Sequence, residues 1–218
     1  MSDQPDDEGL SLEEITAVVD EANRHGGRPV AAHAQGTAGV LNAIRGGVTS
    51  IEHGYGIDDE CIDEMLARGT VLVPTLSAAM HSPERGTVPD YLYEKWVRWS
   101  EVAQKRLAHA FSRGVKVALG TDAGAAPHGA NLRELAHMVT LGMTPMHAVE
   151  AGTRHAADLM GLGAELGTLE AGKLADLVVC DGDPLACIDV LADPAHVVLV
   201  AKEGRIVKHT PCQDRRSA

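Results

Sequence analysis

Aromatic side chains make up only 3% of this chain, against 44% apolar residues overall. A core with so few rings must be built from alanine, valine and leucine. That suits parallel strands packed by small-faced helices better than an all-β sandwich. Positive charge is also scarce, and the formal net charge of -12 argues against nucleic acid and against an anionic membrane surface as partners. The four cysteines, at 61, 180, 187 and 212, form no CxxC pair and no zinc-knuckle spacing. They read as buried or surface thiols in a reducing compartment. No apolar run approaches the ~20 residues of a membrane-spanning helix. The opening residues, Met1 to Glu8, are acidic and polar rather than a targeting segment, so the expected location is cytoplasmic. There is no Walker loop, no GxSxG elbow and no HExxH helix. The Gly-Leu-Gly at 161–163 follows no strand and is no dinucleotide fingerprint.

What is present is an alternation. Ser11 and Glu14 form a capping box ahead of Leu12, Ile15, Val18, Val19 and Ala22 at helical spacing, and Gly26-Gly27 ends that helix. Short apolar strands are expected at 29–33, 48–53, 71–76 (broken by Pro74) and 115–119. Helices are expected at 37–45, from Asp58 to Gly69, at 90–113, and two or three over 130–161 with Thr144-Pro145 as a helix start. The stretch 77–89 reads as a polar loop. The order αβαβαβαβα predicts βαβ units and a parallel sheet. Near Leu166 the pattern changes to strand-rich segments at 172–181 and 197–207 with Asp-Gly, Asp-Pro and Glu-Gly turns, a small β segment of two to four strands. The last residues read as a frayed tail.

Three of the apolar runs end in a metal-capable side chain with glycine close behind: His33, His53 and Asp122. In parallel α/β folds the active site lies at the C-terminal strand ends. An imidazole beside such a core must find a partner. The alternatives are a core histidine bonded to a carbonyl and, for Asp122, an N-cap. His128 follows Asp122 on a loop leaving the same face and is a candidate substrate contact, as is His81 in the loop after another strand. His25 reads as solvent-facing, His109, His137, His147 and His155 as helix positions, and His196 and His209 as structural. Glu52 is expected to face the helix layer. Arg154 and Lys173 are weak candidates for anion contacts, with a solvated charge the simpler reading.

At these residues the chain resembles the amidohydrolase superfamily, in the branch of imidazolonepropionase-like enzymes and Xaa-Pro or related dipeptidases. The stretches that carry the resemblance are VAAHAQG, GVTSIEHGYGIDDE, GTVLVPTLSA, VALGTDAG, NLRELAHMVTLGMTPMHAVEAGTRHAADLMGL and LGTLEAGKLADLVVCDGDPL, in the family's order over residues 11–208. The resemblance implies an α/β fold: the C-terminal half of a (β/α)8 TIM-type barrel, strands five to eight, over residues 1–165. Residues 166–210 then form part of a small β-sandwich domain, and 211–218 a tail. It implies His33 as the ligand from strand five, His53 as that from strand six, and Asp122 as the strand-eight aspartate that binds metal and moves a proton.

The family's His-x-His pair of strand one, and its bridging lysine or glutamate of strand four, have no counterpart here. The chain therefore corresponds to a second half: an internal start, a truncation, or a genuine half-protein. In the family His33, His53 and Asp122 would not complete one metal's shell. A single ion here needs rearranged geometry or a second chain. Zinc is the first choice of cofactor, with iron or manganese as alternatives.

The implied activity is metal-dependent hydrolysis of an amide, cyclic amide or dipeptide C–N bond in a small-molecule or dipeptide-like substrate. The rivals are a catalytically incomplete half-barrel acting as scaffold or interaction protein, and a lyase or cyclase on the same scaffold. Open sheet edges predict a homo-oligomer or a complementary N-terminal half as partner.

Overall fold

Capping residues and glycines set the element boundaries of this chain. In the computed structural model, which describes residues 9–80, 84–124 and 128–210, helix α1 (Leu12–Arg24) opens on the expected capping box. The Ser11 hydroxyl accepts from the Glu14 amide at 3.3 Å, and the Glu14 carboxylate accepts from the Ser11 amide at 2.9 Å. Strand β1 (Ala31–Ala34) leads into α2 (Thr37–Gly46), which ends at a left-handed Gly47. Strand β2 (Ser50–His53) leads into α3 (Asp59–Arg68), where the Asp58 side chain caps the Cys61 amide at 3.0 Å. Strand β3 (Val71–Val73) follows. The three strands form one parallel sheet in the order β1-β2-β3, so the fold is α/β as the alternation implied.

Two differences from the sequence expectation follow from Pro74. Proline has no N–H and terminates β3 after three residues. The chain then turns directly into a short helix, α4 (Leu76–Met80), where a loop was expected. The anticipated fourth strand at 115–119 has only this short β3 to pair with. It is reduced to a parallel bridge between Leu72 and Val117, with the Leu72 amide donating to the Lys116 carbonyl and the Ala118 amide to the Leu72 carbonyl, each at 2.9 Å.

The long helix α5 (Asp90–Ser112) precedes that segment, and α6 (Arg133–Thr140), α7 (Pro145–Ala151) and α8 (Arg154–Leu159) follow it. The core joins sheet and helices through Val40, Ile44, Ile51, Ile62, Leu72 and Leu107, each essentially inaccessible to solvent. Fully burying each such side chain contributes about 1.5–3 kcal/mol. Two of the helical histidines have partners within the fold: His155 Nδ1 meets the Val117 carbonyl at 3.0 Å, and His109 pairs with Asp59 at 2.7 Å.

Beyond the helices, β4 (Leu177–Cys180), β5 (Val197–Lys202) and β6 (Arg205–His209) form a separate antiparallel sheet, with α9 (Asp189–Ala192) between the first two strands. Val178, Val179, Ile206 and Val207 of this sheet are exposed. Lys173 is not a solvated charge: its ammonium donates to the Gly163 carbonyl at 2.7 Å and to the Thr168 hydroxyl at 2.5 Å and pairs with the Glu170 carboxylate at 3.6 Å, stapling the loop that enters β4. No described helix is long and apolar enough to cross a membrane.

Candidate active site

The parallel register places His33 beside Glu52 and Ala34 beside His53. Register partners share a face of the sheet, so regular strands would leave the two imidazoles on opposite faces. They are instead in edge-to-face contact, with ring centroids 4.5 Å apart at 75°. The cause is local. His53, the last residue of β2, has φ 73°. That left-handed turn breaks the alternation and carries the imidazole to the His33 side. The same break corrects the expectation for Glu52. It shares a face with Ser50, whose hydroxyl donates to it at 2.8 Å, while Ile51 between them belongs to the helix-side core. Glu52 therefore lies on the His33 face, and burial pushes its pKa up.

Positive φ recurs at the neighbouring strand ends, at Thr75 (47°) and Asp122 (52°). Three of the four described non-glycine residues with positive φ thus stand at the C-terminal ends of consecutive strand positions. Such conformations cost of order 1–3 kcal/mol each and gather at functional sites. A cavity of about 910 Å³ runs along the edge strand β1, lined by His33, His53, Tyr55 and Asp122 and, from α5, by Trp96 and Trp99.

Backbone contacts fix the loops that follow the two histidines. The Gly54 amide donates to the Ala34 carbonyl at 3.0 Å, and the Gly56 amide to the Gln35 carbonyl at 2.6 Å. The Thr37 hydroxyl donates to the Gly56 carbonyl at 2.6 Å, and the Arg106 guanidinium joins both. A layer of polar residues lies behind His53. Its Nδ1 is 2.7 Å from the Thr75 hydroxyl, which is 3.0 Å from the Tyr55 hydroxyl. Burial pushes the Tyr55 phenol up to about 12, so it stays protonated. Burial also holds His53 below its ordinary pKa. His33 adds to that shift and Asp122 opposes it. A neutral His53 is the form that can ligate a metal.

Glu134 on α6 is fully buried and reaches the start of α4, accepting from the Leu76 amide, from the Ser77 amide at 2.8 Å and from the Ser77 hydroxyl at 2.6 Å. A carboxylate across the first turn of a helix satisfies amides that have no intrahelical partner. Burial nevertheless raises its pKa, outweighing these hydrogen bonds. The folded protein therefore holds this proton more tightly than the unfolded chain. Its contribution to stability grows as pH falls through the raised folded pKa, and levels off below the ordinary 4.5. Wild type should gain stability over Glu134→Gln as pH falls from neutral toward the ordinary 4.5. Urea midpoints across that range check this, and a gap that shrinks on acidification would contradict it.

The donor types fit a divalent metal: two imidazoles and a carboxylate on one cavity wall at strand ends. They do not amount to a closed shell. Among the described residues, no group of three or more histidine, cysteine, aspartate or glutamate side chains is placed to hold an ion together. The sequence brought out His33, His53 and Asp122, and the structure sets all three on one cavity. His128 is exposed and is not among the residues lining that cavity. His81 falls outside the described residues. Sequence reasoning missed Tyr55, Thr75, Glu134 and the two tryptophans, and set Glu52 on the wrong face. Only the Tyr55 position, two residues past a candidate ligand, carried any local sign.

Comparison with known proteins places this geometry. The chain is 36% identical over 214 residues to ochratoxinase of Aspergillus niger, covering 94% of this chain and 43% of that protein. Imidazolonepropionase of Sphingopyxis alaskensis is 32% identical over 183 residues, covering 81% of this chain and 41% of its own length. A solved Xaa-Pro dipeptidase with methionine in its active site superposes with a TM-score of 0.84 at 38% identity, over 91% of this chain and 49% of the dipeptidase. The chain thus spans about half the length of the relatives it matches. The model of the amidohydrolase family matches residues 3–207, and the chain belongs to that family.

Proposed function

We propose that this chain is the strand-five-to-eight half of a metal-dependent amidohydrolase that cleaves an amide, cyclic amide or dipeptide C–N bond. The observation that carries this reading is the contact of His33 and His53, brought about by a strained His53 backbone, on a cavity that Asp122 also lines. Family membership and relatives named as ochratoxinase, imidazolonepropionase and Xaa-Pro dipeptidase support hydrolysis at C–N bonds.

In this reading His33, His53 and Asp122 hold a divalent cation, zinc in the first instance. When bound, it lowers the pKa of water toward ~7 and polarises the scissile carbonyl. Asp122 takes the proton of the attacking water and returns it to the leaving nitrogen. Trp96 and Trp99 on α5 give the cavity apolar walls for a substrate side chain, and His128 and His81 are assigned to the parts of the substrate that extend beyond it. A complementary N-terminal half, or failing that a second copy, supplies the remaining ligands. The unpaired edge of β1 and the exposed apolar residues of β4 and β6 support such a partner.

The test is elemental analysis of the purified chain by mass spectrometry, with its oligomeric mass from light scattering. Retention of about one zinc, iron or manganese per chain, lost in His33→Ala, is the expected result. It would direct a screen of dipeptides and cyclic amides. A metal-free protein unaffected by His33→Ala would overturn metal binding by this chain and favour a scaffold role.

A further inference from the structure

One ring nitrogen of His53 is already engaged, Nδ1 against the Thr75 hydroxyl. Which nitrogen carries the proton decides which one is left with a lone pair to offer a ligand. Three short contacts lie behind the ring: His53 Nδ1 to Thr75 Oγ1 at 2.7 Å, Thr75 Oγ1 to Tyr55 Oη at 3.0 Å, and Tyr55 Oη to the Thr75 carbonyl at 3.1 Å. Each hydroxyl has one proton, a neutral imidazole has one, and the carbonyl has none.

Two arrangements are possible. In the first, Nδ1–H donates to Thr75, Thr75 donates to Tyr55, and Tyr55 donates to the Thr75 carbonyl. All three contacts are then hydrogen bonds. In the second, Nδ1 is unprotonated and Thr75 donates to it, while the single Tyr55 proton goes either to the Thr75 hydroxyl or to the Thr75 carbonyl. Only two contacts are then filled, and one pair of oxygens is left with no proton between them. The first arrangement makes one more buried hydrogen bond than any with an unprotonated Nδ1, and is favoured by that bond.

We infer that Thr75 and Tyr55 are positioning residues that lock His53 in its Nδ1–H tautomer and so leave Nε2 as a free lone-pair donor. The carbonyl of Thr75 ends the chain and gives it its direction: it can only accept, so all three contacts are filled only when every proton upstream points toward it. Thr75 itself is a β-branched residue at φ 47°, a conformation that needs outside support. That support comes from the turn into α4. The Ala78 and Ala79 amides donate to the Thr75 carbonyl at 3.1 and 3.3 Å, and Glu134 holds the next two residues. The consequence for ligation rests on the metal-dependent reading, but the tautomer does not.

The experiment is a long-range 1H–15N correlation of the metal-free chain, labelled with 15N-histidine, at mildly alkaline pH, with His53 assigned by its loss in His53→Asn. Wild type is expected to show a pyrrole-like Nδ1 and a pyridine-like Nε2. Tyr55→Phe removes the acceptor of the Thr75 proton without touching the bond to His53. It should shift His53 toward the Nε2–H form that free imidazole side chains prefer in water. Thr75→Ser keeps the hydroxyl and should retain the wild-type pattern, and Thr75→Val should lose it. Zinc affinity should fall about 10–100-fold in Thr75→Val and stay near wild type in Thr75→Ser. An Nε2–H signal in wild type, or a Tyr55→Phe spectrum unchanged from wild type, overturns the inference. A wild-type Nδ1–H signal that responds to Tyr55→Phe in a chain without zinc affinity would uphold it and defeat the metal reading alone.

Discussion

Gly56→Ala should destabilise the chain by about 3 kcal/mol or more and separate His33 from His53. A Cβ at Gly56 would lie 2.5 Å from the Gln35 carbonyl oxygen and 2.8 Å from the Thr37 amide nitrogen. Both are backbone atoms, so no rotamer change relieves the clash. The loop after β1 and the loop after β2 must move apart. The hydrogen bond from the Gly56 amide to Gln35 goes with them, as do the Thr37 and Arg106 bonds to the Gly56 carbonyl. These bonds hold together the two loops that leave the histidines. In a domain of this size 3 kcal/mol corresponds to a fall in melting temperature of roughly 6–12 °C.

Gly39→Ala is the control. Nothing lies within 4 Å of its added Cβ, and it sits inside α2, where alanine is favoured by up to about 1 kcal/mol. Urea denaturation of the two variants decides the matter. A Gly56→Ala midpoint equal to wild type would mean that the loops adjust freely and do not clamp the histidine pair.

How much of this was legible in the sequence depends on how far apart the interacting residues stand. The run-then-turn pattern located His33, His53 and Asp122 at strand ends because it is local: a few apolar residues and a glycine suffice. Ser11 with Glu14, Asp58, and Thr144 with Pro145 are local too, and each caps the expected helix. The same reading noted the glycine that follows His53 as part of the turn out of the strand. In the structure the left-handed backbone begins at His53 itself, and this carries the imidazole to the face of His33. Strict alternation was then the wrong guide for Glu52. Glu134 and Ser77 are 57 residues apart, and nothing in either neighbourhood marks the pair. Thr75 is harder still. A β-branched residue with positive φ runs against its own conformational preference, and only the tertiary setting of α4, Tyr55 and His53 makes it tenable. The residues that orient the candidate ligands were thus hidden, while the candidate ligands themselves were visible.

On the proposed amidohydrolase reading, Asp122→Asn should lower the rate of C–N hydrolysis by about 100- to 10,000-fold, the usual worth of a positioned proton-transfer group. The asparagine is nearly isosteric, keeps one oxygen donor and tolerates the left-handed backbone at φ 52° as well as aspartate does. The side chain is exposed, so stability should stay within about 0.5 kcal/mol of wild type. What the variant loses is the ability to accept a proton from water and return it to the leaving nitrogen. Asp122→Ala separates these roles from backbone strain, because alanine at the same φ costs roughly a further 1–2 kcal/mol of stability.

The measurement is kcat on a dipeptide or cyclic amide turned over by the chain, alone or with a complementary half, alongside thermal melts of both variants. A rate loss in Asp122→Asn with an unchanged melt assigns the carboxylate to chemistry. Near-wild-type turnover in Asp122→Asn would remove Asp122 from the proton-transfer role and leave it as a turn residue at the end of the strand.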